Sequence, residues 1–173
     1  MPRVIDYKGQ RVGVFIDVQN MYYSARQLYG KKVNFANILR TARGERTLIR
    51  AIAYGIRAEA FKEEKFFDAL EAIGFEVKVK DIQIFAGGAK KGDWDIGIAM
   101  DAIETAPKLD VVVLVSGDGD FVPLVEHLRR AMGCKVDVIS FGRSTSAKLK
   151  EAADVFVDMD ENSRKYLIDK EAV

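Results

Sequence analysis

Val111-Val112-Val113-Leu114-Val115-Ser116-Gly117-Asp118-Gly119-Asp120-Phe121 joins an uninterrupted apolar run to a turn that carries two carboxylates. A short run of β-branched residues with no polar break reads as a strand buried on both faces, the habit of parallel sheets. Ligands of open α/β sheets lie just outside the carboxyl ends of such strands. Asp118 and Asp120 therefore fall where a site is expected. Their mutual repulsion asks for a positive partner between them, in the first instance a divalent metal ion.

Working outward, apolar runs alternate with helical patterns along the whole chain. Val12 to Ile16 is a first strand, followed by a helix around Val18 to Tyr29. Asn34 is placed to cap a short helix holding Phe35, Ile38 and Leu39. Leu48 to Ile56 reads as a second strand. Ala60 to Ile73 has Phe66, Phe67, Leu70 and Ile73 at helical spacing, and Gly74 follows at the stop position. Phe75 to Phe85 reads as a strand, and residues 86–92 as a basic loop. A helix through about Thr105 precedes the Val111 strand. Beyond it, Phe121 to Met132 is helical, Val136 to Phe141 a strand, Ser144 to Ala153 helical, Val155 to Val157 a short strand, and Glu161 to Ile168 a last helix. This β-then-α order predicts a parallel sheet with helices on both faces. With no internal repeat and no break in composition, residues 1–173 are expected to form a single domain.

Composition removes several classes of function. A net charge of +1 carries no argument from overall basicity, although Lys and Arg can collect away from an acidic cleft. Cys134 is the one cysteine and His127 the one histidine, so neither an intrachain disulfide nor a Cys- or multi-His zinc site is available. The first residues, Met1 to Asp6, lack the apolar core of a signal peptide, and no run reaches the roughly 20 apolar residues of a membrane span. A cytoplasmic protein with no membrane partner is the default expectation.

Aspartates recur at the starts of elements. Asp17 follows the first strand directly, with Gln19 and Asn20 behind it. Asp93 and Asp95 open the helix after the basic loop, and Asp101 comes six residues later. In a parallel sheet Asp17 and the Asp118/Asp120 pair emerge at one edge. Carboxylates with little else around them suit Mg²⁺ or Mn²⁺, which prefer oxygen and retain waters. Each acid also has a plain structural reading. Asp17, Asp93 and Asp120 stand where helix N-caps are wanted, whereas Asp118 has no such role while Asp120 serves as the cap. Asp101 lies nearly two turns beyond Asp95 and is either a supporting group or a solvated one. Asn20 and Ser116 either hold their turns or support the acids.

Other residues read more simply. His127 falls on a polar helix face, and Cys134 is a small buried group. Trp94 anchors the start of its helix or stacks on a base, packing being the safer reading. Lys90 and Lys91 are either a solvated loop or a phosphate clamp for nucleic acid, a surface that Arg57, Arg143, Lys148 and Lys150 would extend. Ser144 or Thr145 is the expected cap of the late helix, at a start able to meet phosphate. Tyr22, Tyr23 and Tyr29 either pack their helix on the sheet or form the surface of a homodimer.

Several of these stretches together resemble a known family. Phe15-Ile16-Asp17-Val18-Gln19-Asn20 is similar to the first-strand motif of the NYN domains, part of the PIN-like nuclease superfamily. Lys91-Gly92-Asp93-Trp94-Asp95 through Asp101-Ala102 resembles their Lys-Gly…Asp…Asp helix motif, and Ser116 to Phe121 their third acidic motif. Ala153-Asp154-Val155-Phe156 resembles their ending, so the likeness runs in order over residues 10–160, closest to the LabA/DUF88 branch. The resemblance implies a Rossmann-like (PIN-like) α/β three-layer sandwich, with a mainly parallel central sheet and a divalent-metal cleft. It implies Asp17, Asp95, Asp118 and Asp120 as the metal and catalytic acids, with Asn20 and Ser116 supporting them. Asp93 sits in a one-residue extension of the helix motif, so its role stays open.

The expected function is a Mg²⁺- or Mn²⁺-dependent ribonuclease that hydrolyses RNA by metal-activated water. One alternative is a non-catalytic RNA-binding or regulatory module on the same fold. A phosphatase or nucleotide-binding domain is the third reading. Against it, Asp17-Val18-Gln19 lacks a second acid two residues on, and there is neither a Gly-x-x-x-x-Gly-Lys-Ser/Thr loop nor a Gly-x-Gly-x-x-Gly fingerprint after a strand.

Overall fold

The computed structural model describes residues 7–57, 63–84, 86–87, 90–91 and 93–169. In chain order its elements are β1 (Arg11–Asp17), α1 (Val18–Tyr29), β2 (Lys32–Val33), α2 (Phe35–Arg43), β3 (Thr47–Arg57), α3 (Glu64–Ile73), β4 (Glu76–Asp81), β5 (Gln83–Ile84), β6 (Lys90–Lys91), α4 (Asp95–Thr105), β7 (Val111–Val115), α5 (Val122–Arg130), β8 (Lys135–Ser140), α6 (Ala147–Ala152), β9 (Val155–Asp158), α7 (Ser163–Tyr166) and β10 (Leu167–Ile168). Six strands form one parallel sheet in the order β4-β3-β1-β7-β8-β9. The chain works outward from β1 to β4, then returns to pair β7 against the other side of β1. That reversal opens a crevice at the carboxyl ends of β1 and β7, the place where open α/β sheets bind ligands.

Side-chain alternation divides the core into two layers. Val12, Val14 and Ile16 of β1 and Val111, Val113 and Val115 of β7 pack beneath α1, α2 and α3. Phe15, Val112 and Leu114 point the other way, against α4, α5 and α6. All five residues of β7 are buried, as its unbroken apolar run requires. The result is an α/β three-layer architecture. One ion pair crosses the first layer: Arg46 Nη1 lies 3.1 Å from Asp137 Oδ2, with both residues buried.

Local signals acted as expected at several ends. Asn34 Oδ1 accepts from Asn37 N to cap α2. Gly74 ends α3 at φ +125°, a conformation that side-chain-bearing residues rarely adopt. His127 is exposed and Cys134 buried. Residues 60–62, the expected start of the third helix, lie outside the described residues, as do Met1–Asp6 and Gly92.

Several elements differ from the sequence reading. The strand expected over Phe75–Phe85 is two pieces, β4 and β5, and β5 turns back to pair antiparallel with β6. Part of the presumed basic loop is therefore one arm of a hairpin. The expected terminal helix, Glu161–Ile168, keeps one α-turn and then becomes β10, antiparallel to β2. Tyr166 explains the change, since its carbonyl accepts from Asn34 N and its hydroxyl bonds Thr41 Oγ1, tying the tail to α2. The late helix is shorter than expected, and its cap position is Ser146. Ser144 and Thr145 instead turn their hydroxyls onto the Phe141 carbonyl. Tyr29 is half-buried, packed on Phe141 with its hydroxyl donating to Asp160.

Candidate active site

Asp17 is the last residue of β1 and the N-cap of α1, where its Oδ1 accepts from Asn20 N at 3.2 Å. On the neighbouring strand, β7 ends at Val115 and the chain enters Ser116 and a short 3₁₀ turn over Gly119–Phe121. Ser116 joins the two strand ends. Its hydroxyl donates to Asp17 Oδ2 at 3.4 Å and accepts from Asp118 N at 3.2 Å. Asn20 reaches the same turn from α1, its Oδ1 accepting from Gly117 N at 2.9 Å. Both residues thus bind one acidic segment to the other.

The two acids of the turn divide the work in the reverse of the expected way. Asp118 is the cap, its Oδ1 accepting from Asp120 N at 2.9 Å. Asp120 caps nothing and is exposed. The glycines between them answer to packing. A Cβ on Gly117 would stand 2.7 Å from the Ser144 carbonyl oxygen, and one on Gly119 would stand 2.8 Å from Ser146 Oγ. The 142–146 segment lies against the acidic turn, and Ser146 N donates to the Gly117 carbonyl.

Asp95 opens α4 and brings a third segment to the same place. Asp95, Asp118 and Asp120 each offer a carboxylate oxygen, and these three atoms lie within 4.8 Å of one another. A cleft of about 420 Å³ is lined by Asp17, Asp93, Asp95, Asp118 and Ser144, with Gln19, Asn20, Tyr23, Ser24 and Gln27 along α1. No cation is among these lining residues. The electrostatics record the imbalance. Burial raises the Asp17 carboxyl from 3.8 to about 6, with Asp118 and Asp93 adding to the rise against the hydrogen bonds from Asn20 and Ser116. Burial likewise raises Asp95 to about 6, assisted by the charges of Asp118, Asp93, Asp17 and Asp120. A cleft that raises its own acids in this way favours a bound cation, and an all-oxygen donor set fits a hard divalent ion.

Other expected site residues stand elsewhere. Asp101 accepts from Tyr54 Oη and Lys78 Nζ on the far side of α4, outside the cleft lining. Burial alone would raise its carboxyl, but the bonds from Lys78 and Tyr54 outweigh burial and hold it low. The spacing from Asp95 turned it toward β3 and β4, where a lysine waited. Arg143 is engaged by Asp160 and stacks over the Tyr29 ring, while Lys148 is exposed on α6. Arg57 pairs with Glu64 at 2.6 Å, and Lys150 lies over Phe156. The side chains of Lys90 and Lys91 lie outside the described residues. Asp93 is exposed, its Oδ1 accepting from Asp95 N at 3.2 Å and its carbonyl from Lys80. Trp94 packs on Tyr54 and donates to the Gly55 carbonyl, which is the packing role. Sequence reasoning missed the α1 wall of Tyr23, Ser24 and Gln27. The signal was present, because Gln19, Tyr23 and Gln27 are spaced four residues apart.

Residues 11–160 match the NYN domain. The chain is 29% identical over 163 residues to the "Low amplitude and bright protein LabA" of Synechococcus elongatus, covering 90% of this chain and 87% of that protein. A crystal structure of a protein of unknown function from Vibrio parahaemolyticus superposes with a TM-score of 0.85 at 38% identity, over 95% of this chain and all of the other. Among the described residues no helix is long and apolar enough to cross a membrane.

Proposed function

The chain belongs to the NYN domain family, and on that premise we propose that it is a divalent-metal-dependent ribonuclease. The observation that carries the reading is the meeting of Asp95, Asp118 and Asp120 within 4.8 Å, beside the half-buried Asp17, in a cleft whose lining holds no cation among the described residues. Asp95, Asp118 and Asp120 would hold Mg²⁺ or Mn²⁺, with Asp17 completing the acid set from β1. When bound, such an ion activates water and stabilises the charge on a phosphodiester under attack. The remaining work belongs to the chain. Ser116 and Asn20 fix the β7 turn against β1 and α1, so Asp17 and Asp118 are held in place before substrate arrives. Ser144 lines the cleft with its hydroxyl held on the Phe141 carbonyl, so it shapes the wall beside the acids. No histidine is required as a base, and His127 is exposed on α5, outside the cleft lining.

The test is RNA cleavage in Mg²⁺ or Mn²⁺, with and without EDTA, by the wild type and by Asp118→Asn. Asparagine keeps an oxygen to cap the 3₁₀ turn, so the variant removes charge without removing the fold. Several kcal/mol of lost charge stabilisation corresponds to at least about a hundredfold slower cleavage. Cleavage that is indifferent to EDTA, or equal in the variant, would overturn the proposal. RNA binding without any cleavage would establish the non-catalytic module in its place.

A further inference from the structure

The wall of the cleft contributed by α1 differs in chemistry from the acids around it. Gln19, Tyr23 and Gln27 fall at i, i+4 and i+8 and form one stripe, flanked by Asn20 and Ser24. None of the five is charged. Among the described residues no hydrogen bond engages the Gln19 or Gln27 amides or the Tyr23 hydroxyl. Tyr23 is 56% exposed, steadied by a T-shaped contact with Tyr22 at a centroid distance of 5.5 Å. A large aromatic left in water at the mouth of a polar cleft, between two unspent amides, offers the parts that recognise an unpaired base. Aromatic rings stack on any exposed base face, and glutamine amides pair with base edges.

We propose that the Gln19–Tyr23–Gln27 stripe is the nucleobase-reading wall of the cleft. Tyr23 stacks on one unpaired base of single-stranded RNA, and the two amides select which base it is. The inference rests on the ribonuclease reading for the identity of the ligand as RNA. The acids take the phosphodiester while α1 takes the base next to it, so one nucleotide spans the cleft. A volume of about 420 Å³ lies within the range of sites that enclose ligands of this size. A base inside a duplex has its faces covered by its neighbours and its pairing edge engaged, so duplex RNA cannot use this wall.

The experiment measures binding of fluorescent single-stranded octamers of each of the four bases, and of a duplex of the same length. It is run in Mg²⁺ on an Asp118→Asn parent, so that cleavage does not enter. Tyr23→Ala is expected to weaken single-strand binding about tenfold or more, while Tyr23→Phe, which keeps the ring, retains the parental affinity. Gln19→Ala and Gln27→Ala are expected to level the differences among the four octamers. Duplex binding is expected to be the same in all variants. Tyr23→Ala binding like the parent, or Tyr23→Phe as weak as Tyr23→Ala with unchanged circular dichroism, would overturn the stacking wall. A parent that binds single strands through Tyr23 while the wild type cuts nothing would sink the ribonuclease reading and leave the wall standing. A wild type that cleaves while Tyr23→Ala keeps its rate and its preference among base contexts would do the reverse.

Discussion

Replacing Asp17 by Asn isolates what the protein spends on assembling its acids. The Asp17 carboxyl is raised from 3.8 to about 6, chiefly by burial at the end of β1. Because the folded value is the higher, the native state binds the extra proton. Stability contributed by that proton is complete below about pH 4 and is lost as pH climbs through 6. At pH 7.5 the charged carboxylate therefore destabilises the metal-free fold by about 3 kcal/mol. Asparagine removes the charge and remains a good N-cap for α1. It gives up the acceptor that Ser116 uses, costing about 1 kcal/mol. The net gain of about 2 kcal/mol corresponds to a melting temperature roughly 4–8 °C above the wild type for a chain of this size. Thermal unfolding followed by circular dichroism in EDTA, at pH 7.5 and pH 4, is the assay. The gain should be present at pH 7.5 and absent at pH 4. Mn²⁺ at a hundred times its Kd should then raise the wild type by about 3 kcal/mol and the variant by much less, reversing their order. A variant that melts below the wild type by the same amount at both pH values, or that gains as much from Mn²⁺, would refute the electrostatic argument.

Two more predictions follow the same physics elsewhere in the molecule. Asp17 and Asp95, both raised to about 6, must lose their protons to accept a metal. Mn²⁺ affinity measured by calorimetry should therefore rise as pH passes upward through about 6, and a flat profile from pH 5 to 8 would contradict the raised carboxyls. At the other end of the sheet, Asp137→Ala would remove the carboxylate that lies 3.1 Å from the buried Arg46 guanidinium. Urea unfolding should show a loss of about 3–5 kcal/mol, whereas a loss below 1 kcal/mol would mean that the ion pair is replaceable.

The parallel sheet was legible because β1 and β7 are buried on both faces and leave unbroken apolar runs in the sequence. Their adjacency placed Asp17 and Asp118 at one edge once parallel pairing was assumed. The missed elements, β2, β5, β6 and β10, are two residues each, too short for periodicity to register. They exist because a partner strand meets them. Leu167–Ile168 continues a helical pattern in isolation and becomes a strand because Val33 and Lys32 stand opposite. Asp101 shows the same limit at the site. Its distance from Asp95 was readable, but the lysine that claims it comes from β4, more than twenty residues earlier.

The turn after β7 shows why a cap and a metal ligand are poor alternatives. Asp118 spends one oxygen on Asp120 N, which fixes its carboxylate in a single orientation and leaves the other oxygen available to the cleft. A rigid ligand loses less conformational entropy when an ion arrives than a free side chain would. Asp120, exposed and uncommitted, carries the larger ordering cost and should contribute less to affinity than Asp118. The structural role of Asp118 therefore strengthens its candidacy as a ligand. The same logic extends to Asp17, whose cap on α1 and bond from Ser116 hold both of its oxygens before any ligand binds.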